Sequence, residues 1–267
     1  MVFTQAVALA EPPTIGTLYG IGVGPGDSEL ISLKGLRYLQ QCPIVAYPAG
    51  LEGQPGIAEQ IIAPWLTSQQ QIPLTFPYVH NPHQLQQAWQ VAASTIWHYL
   101  SQGQDIAFAC EGDVGVYSTF TYLAETLANL YPHAMIQRIP GISSPMAAAA
   151  ALDIPLAYQP EQVAIIPALQ RLETLPEALA WADVVVLLKV SKVYTTVWQL
   201  LKKLNLLQTS YVVVRASMAN QQIYQDLERY PDLQLPYFSQ LIIVTSDRGQ
   251  PGTQEAPETD PIEPSGT

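Results

Sequence analysis

The sequence predicts an α/β protein in two lobes, with mostly parallel sheet covered by helices. Strand-length apolar runs alternate with helix-length segments along most of the chain. Runs such as Val184–Leu188 are apolar at every position, as strands buried on both faces require. An Ala-rich helical stretch also ends near Ala157–Pro160, where a polar, Pro-containing segment begins. This break divides the chain into an N-terminal arm (1–16), an N-terminal domain (17–157), a C-terminal domain (158–246) and a tail (247–267).

Thr17–Val23 is a short buried strand broken by glycines, and it runs into the turn Gly24-Pro25-Gly26-Asp27. Asp27 is placed to cap a helix reaching Gln41, with Leu30, Ile31, Leu33, Leu36 and Leu39 on its core side. Ile44–Tyr47 is the next strand. Further strands are expected at Ile106–Cys110, Met135–Ile139, Val163–Pro167, Val184–Val190, Tyr211–Arg215 and Leu241–Thr245. Helices are expected at Leu85–Gln102, Thr119–Leu130 and Thr195–Leu204. His80 and His83 flank Asn81-Pro82 in an expected loop, where solvated histidines are expected and not a metal pair.

Composition narrows the function. With 22 acidic against 11 basic residues the formal charge is −11, which disfavours a general nucleic-acid surface. The tail holds Asp247, Glu255, Glu258, Asp260 and Glu263 against Arg248 alone, among prolines and glycines. Such a segment buries no core and is expected to be disordered. Cys42 and Cys110 sit in apolar stretches and are expected as buried thiols of a cytoplasmic protein, with no metal site. No segment approaches the ~20 apolar residues of a membrane span, and the first sixteen residues lack the basic start of a signal peptide.

Gly, Asp and Ser cluster four times just after strands, where parallel sheets hold ligands. The first cluster, Gly20–Asp27, fails as a dinucleotide fingerprint, because Pro25 or Asp27 falls where the third glycine belongs. It suits close backbone approach to a ligand without phosphate. The second, Cys110–Thr119, offers carboxylates and small residues to hydroxyl and amino groups, with Ser118 or Thr119 as helix cap. The third, Pro140–Pro145, carries serines that either cap a helix or reach a ligand. In the fourth, Arg215–Met218, Arg215 is either a surface charge or a carboxylate partner.

In order and wording the chain resembles the tetrapyrrole methylase family. The matching strings are GTLYGIGVGPGD, IVAYP, EGDVGVYSTFTYL, PGISSPMAAAAALDIPLA, VVLLKV, YVVVRASM and PYFSQLIIV, from about Gly16 to Val244. YSTF and PYFS draw it toward members that methylate C20 of precorrin-2 or of its cobalt-bearing counterpart, cobalt-factor II, in cobalamin biosynthesis. The resemblance implies two α/β lobes, a homodimer, a tetrapyrrole substrate and S-adenosylmethionine in the cleft. It assigns cofactor contacts to Pro25, Glu111, Gly112, Asp113, Val116, Ser143, Ser144, Lys189 and Ala216. Val114 stands where the family often has proline, at a position that mainly shapes the turn.

Methyl transfer from a sulfonium needs donor and acceptor aligned and close, not a triad or a metal. A base to assist proton loss is sought among Tyr117, Glu111 and Asp113. Tyr47, Tyr117, Lys34 and Arg215 are candidate contacts to the macrocycle or its carboxylates, with Arg37 and Lys192 as further local positive charges. A methylase of the same fold with another acceptor, and a non-catalytic binder of a tetrapyrrole or adenosylmethionine, are the alternatives.

Overall fold

The computed structural model describes residues 14–50, 54–77, 81–246 and 248. Most of the N-terminal arm, His80 and all of the acidic tail except Arg248 lie outside the described residues. The first lobe runs β1 (Thr17–Gly22), α1 (Leu33–Gln41), β2 (Ile44–Pro48), α2 (Ile57–Ile62), β3 (Gln70–Leu74), α3 (Pro82–Leu100), β4 (Ile106–Cys110), α4 (Thr119–Leu130) and β5 (Met135–Ile139). Next come α5 (Ser144–Ala151), β6 (Val163–Pro167), α6 (Ala168–Arg171), α7 (Leu175–Trp181), β7 (Val184–Leu188), α8 (Tyr194–Lys203), β8 (Ser210–Val214), β9 (Gln222–Tyr224) and β10 (Ser239–Val244).

The first sheet has the order β3-β2-β4-β1-β5, and every pairing in it is parallel. One face packs Leu18, Ile44, Ile106 and Phe108 under α3 and α4. The other packs Ile21, Val45, Ala107 and Ala109 under α1 and α2. Burial on both faces explains the unbroken apolar runs of these strands.

The second sheet, β6-β7-β10-β8-β9, is mixed and mainly antiparallel, where mostly parallel pairing was expected. Only β6 and β7 run parallel, while β10 is antiparallel to β7 and β8, and β9 is antiparallel to β8. All six residues of β10 are buried, so its apolar run says nothing about direction. Val185 and Leu187 face one core, whereas Val184 and Val186 face Ala147, Ala148 and Leu152 at α5. The Ala-rich helix is thus flat enough to lie against the second sheet.

Two local expectations are corrected, and one strand is added that the sequence did not suggest. Asp27 caps only a 3-10 turn, Ser28–Leu30, by accepting from the Glu29 N–H; α1 starts anew at Leu33, with Ser32 accepting from the Gly35 N–H. The two starts shift the helical phase, and Leu33, expected in the core, is 88% exposed. Pro82 and His83 begin α3 instead of lying in a loop, because Asn81 accepts from the His83 and Gln84 N–H groups. Finally, β3 is an edge strand reading QQIPL, too polar and too Pro-interrupted to announce itself. Among the described residues no helix is long and apolar enough to cross a membrane.

Candidate functional site

Strand order brings the first three Gly/Asp/Ser clusters together. β4, β1 and β5 are parallel neighbours, with Gly22 level with Cys110 and Ile21 level with Ile139. The turns that follow them therefore leave the sheet at one edge. Backbone hydrogen bonds join them: the Val23 N–H donates to Cys110 O at 2.9 Å, and Gly24 and Gly112 exchange bonds at 3.2 and 2.8 Å. Asp113 completes the tie, its Oδ1 accepting from the Gly115 N–H at 2.7 Å and its Oδ2 from the Gly141 N–H at 2.9 Å.

The second lobe meets this edge through the carboxyl ends of β7 and β8 and, because β10 is antiparallel, through the start of β10. Ser239 pairs with Val214 and Gln240 with Leu188. Asp27 N–H donates to Ser217 Oγ at 3.1 Å across the lobes, and Gln240 Nε2 donates to Ser144 O at 2.8 Å. Between the lobes lies a cavity of about 610 Å³.

Of the residues singled out in sequence, Pro25, Glu111, Gly112, Asp113, Val116, Tyr117, Ser143 and Ser144 line the cavity from the first cluster of loops and the start of α5. Lys189, Arg215 and Ala216 line it from the second sheet. Tyr47 and Lys34 do not. Tyr47 points into the α1/α2 side of the core and donates to Gln71 Oε1 at 2.9 Å; burial pushes its phenol up. Lys34 is exposed on α1, and neither Arg37 nor Lys192 lines the cavity.

Tyr117, Lys189 and Arg215 adopt left-handed backbone, with φ of 49°, 58° and 50°. Such conformations cost of order 1–3 kcal/mol each, and they concentrate at working sites. Lys189 and Arg215 re-aim the chain as it leaves β7 and β8, and Tyr117 turns it into the cap of α4. Ser118 caps α4 through the Phe120 N–H, at 3.0 Å. Ser143, at the start of α5, makes no such cap and donates to Met146 Sδ instead, at 2.8 Å.

The three groups considered as a base are held differently. Both oxygens of Asp113 accept from backbone amides, and the Tyr117 hydroxyl donates to Ile165 O in the other lobe at 3.0 Å. The Glu111 carboxylate forms no hydrogen bond or ion pair with a described residue, while its backbone carbonyl accepts from Cys110 Sγ at 3.7 Å. Burial pushes its carboxyl up to about 7, against an opposing pull from the Lys189 ammonium. That ammonium sits 4.9 Å from the centre of the Tyr237 ring.

The sequence reading assigned no role to Phe76, Trp89 or Tyr237–Gln240, which also line the cavity. Phe76 and Trp89 lie 4.4 Å apart and form an aromatic wall continued by Tyr122. Their signal is weak in sequence because they follow an edge strand and sit on a helix, away from any glycine-marked turn. The segment at the start of β10 enters only through that strand's antiparallel direction.

Two α/β lobes whose strand-end loops converge on one shared cavity define a two-lobed α/β protein with an interlobe ligand cleft. A profile of the Tetrapyrrole (Corrin/Porphyrin) Methylases matches residues 17–230, and the chain belongs to that family. It is 27% identical over 230 residues to a Salmonella typhimurium cobalt-precorrin-2 C(20)-methyltransferase, covering 85% of this chain and 96% of the relative. A Sinorhizobium precorrin-2 C(20)-methyltransferase is 27% identical over 248 residues, covering 89% and 98%. The cobalamin biosynthesis protein CobIJ of Mycobacterium tuberculosis is 31% identical over 232 residues, covering 84% of this chain and 45% of the relative, so the chain spans about half that protein's length. Among solved structures, a putative CobF from Corynebacterium diphtheriae has the same fold, with a TM-score of 0.70 at 17% identity, covering 87% of this chain and all of that one. The cobalt precorrin-4 methyltransferase CbiF aligns with a TM-score of 0.63 at 22% identity, covering 85% and 94%.

Proposed function

We propose that this chain transfers the methyl group of S-adenosylmethionine to C20 of precorrin-2 or cobalt-factor II in cobalamin biosynthesis. The observation that carries this reading is the convergence, on one interlobe cavity, of every loop that the family resemblance marks for the cofactor. The two C(20)-methyltransferase relatives, matched over nearly their whole lengths, support C20 as the acceptor position.

The residues present fit an adenosyl cofactor. Gly112 lines the cavity with φ +70°, and a Cβ built on it would meet nothing within 4 Å, so its backbone leaves open space for a ligand to approach. Leu188 and Ala216 supply apolar wall, and Glu111 supplies an uncommitted carboxylate. When bound, S-adenosylmethionine supplies an activated methyl group and a neutral thioether leaving group. The chain's own task is to hold donor and acceptor in line and to exclude water. Lys189 and Arg215 offer positive charge to the carboxylates of the acceptor, a local field that the net charge of −11 does not reveal.

The aromatic wall of Phe76 and Trp89 is assigned to the flat, apolar face of the macrocycle. Trp89→Ala is expected to raise KM for the tetrapyrrole about tenfold, the equivalent of roughly 1.4 kcal/mol of stacking and apolar contact. The KM for adenosylmethionine should stay within about twofold. Steady-state kinetics with each substrate varied in turn makes the check, and equal changes in both would remove the wall from the acceptor site.

The reading as a whole is tested by anaerobic incubation of the purified chain with adenosylmethionine and either precorrin-2 or cobalt-factor II, followed by mass spectrometry. One added methyl, located at C20, is the expected result. A methyl on another carbon, or none on either acceptor, overturns it.

A further inference from the structure

Gly24-Pro25-Gly26-Asp27 follows β1, yet only Pro25 of its four residues lines the cavity. The others meet the second lobe, where the turn Arg215-Ala216-Ser217-Met218 is seated against them. The Asp27 N–H donates to Ser217 Oγ at 3.1 Å. The Asp27 carboxylate stays within its own turn and accepts from the Glu29 N–H at 2.8 Å. A Cβ built on Gly26 would collide with Met218 Cγ and lie 3.1 Å from both Ala216 O and Met218 N. Gly24 has a left-handed φ of 82°, but Gly26 does not. Gly26 is therefore needed for its missing side chain, which leaves a notch that Met218 fills.

The turn of the second lobe is built to hold this pose. Arg215 and Ser217 both have left-handed backbone, with φ of 50° and 65°, and side-chain-bearing residues keep such angles only where the surroundings over-determine them. Here the Arg215 N–H donates to Phe238 O at 2.8 Å and the Met218 N–H to Arg215 O at 3.0 Å. The Ser217 N–H donates to Gln221 Oε1 at 2.7 Å, and the Gln221 N–H to Met218 O at 3.0 Å. Ala216 and Met218 line the cavity, whereas Ser217 and Gln221 do not. One wall residue of each lobe, Pro25 and Ala216, thus stands directly beside the contact.

Resting on the assignment of adenosylmethionine to this cavity, we propose that the seating of Ser217 and Met218 on Gly26 and Asp27 is a positioning joint between the lobes. It fixes how far Pro25 stands from Ala216, and with that the width of the cleft that grips the methyl donor. Gly26, Ser217 and Gln221 are positioning residues: they act through their neighbours and touch no reacting atom. In-line transfer is sensitive to such spacing, since a misplacement of about 1 Å can cost on the order of 100-fold in rate.

The test is a double-mutant cycle on the full chain, read by calorimetry with S-adenosylmethionine at a temperature where circular dichroism shows every variant folded. Gly26→Ala is expected to weaken binding about tenfold or more, because its methyl and Met218 Cγ cannot share the notch. Met218→Ala removes that Cγ. In the Met218→Ala background, Gly26→Ala should therefore cost no more than about threefold. Gln221→Ala leaves the notch and the cavity wall unaltered but frees the Ser217 N–H, and it should weaken the donor about threefold. An equal loss from Gly26→Ala in both backgrounds overturns the joint. A lowered unfolding midpoint with unchanged donor binding makes the contact structural only and overturns its positioning role. A wild-type chain that binds no adenosylmethionine overturns instead the reading on which the proposal rests. The same cycle in unfolding midpoints then decides the contact: a smaller drop from Gly26→Ala beside Met218→Ala supports it, and an equal drop overturns it.

Discussion

Arg248→Ala is expected to lower the free energy of unfolding by about 3 kcal/mol at neutral pH, the scale of removing one member of a buried ion pair. Arg248 Nε and Nη2 donate to the two oxygens of Glu161 at 2.9 and 2.7 Å, a forked contact with both side chains largely shielded from water. Its Nη1 and Nη2 also donate to Pro155 O and Leu156 O at 3.1 and 3.0 Å, and its guanidinium lies over the Tyr158 ring. Glu161 accepts further from Ser246 Oγ and from the Tyr158 N–H, at 2.6 and 2.8 Å. The cluster pins the chain just past β10 to the connection between α5 and β6.

The same cluster predicts a pH signature. Burial alone would raise the Glu161 carboxyl, but the Arg248, Ser246 and Tyr158 hydrogen bonds overcome it and hold the group at about 2, below its ordinary 4.5. A lowered folded-state value means that the stabilisation is complete above about pH 4.5. It is lost as pH falls toward 2, because the unfolded chain takes up its proton first. The interval corresponds to about 3 kcal/mol, in line with the mutational figure. Urea unfolding of wild type and Arg248→Ala at pH 7 and near pH 3 should show the gap narrowing in acid. A gap independent of pH would mean that Arg248 acts by packing on Tyr158 and not through Glu161.

Composition placed Arg248 in the acidic tail, and nothing in DRGQPG marks it as the partner of a glutamate 87 residues earlier. The contrast with the first lobe is instructive. There strands β1, β2, β4 and β5 and the edge at which the Gly/Asp/Ser turns gather were legible, because each of those turns follows a strand-length run and all pairings are parallel. Ser118 as the cap of α4 was legible for the same local reason. What escaped depends on direction or on distant pairing: the antiparallel insertion of β10, the polar edge strand β3, and the Phe76/Trp89 wall, whose members meet only after α3 packs. The α1 expectation failed more subtly. Asp27 and Ser32 both satisfy capping chemistry, and a pattern of leucines does not reveal that the chain uses both.

The second large effect is expected at the glycines where the loops cross. A Cβ on Gly22 would lie 2.6 Å from Gly141 N, 2.7 Å from Gly112 O and 2.8 Å from Gly141 Cα, all backbone atoms with no rotamer to yield. Gly22→Ala must therefore push the turns after β4 and β5 off the end of β1. Overpacking of this kind costs about 1–3 kcal/mol, and because the displaced turns carry Glu111, Gly112 and Ser143, ligand binding should be lost with it. Gly112→Ala is the informative partner. Its Cβ has no atom within 4 Å, so the fold pays only for an alanine at φ +70°, about 1 kcal/mol. That methyl occupies the space proposed for the cofactor, so affinity for adenosylmethionine should fall at least tenfold while the far-ultraviolet circular dichroism stays native. Measuring unfolding and binding on both variants separates the two roles. If Gly112→Ala binds as wild type does, the open face of Gly112 is not where the cofactor lies, and the cofactor must approach the cavity from the Lys189 and Ala216 side.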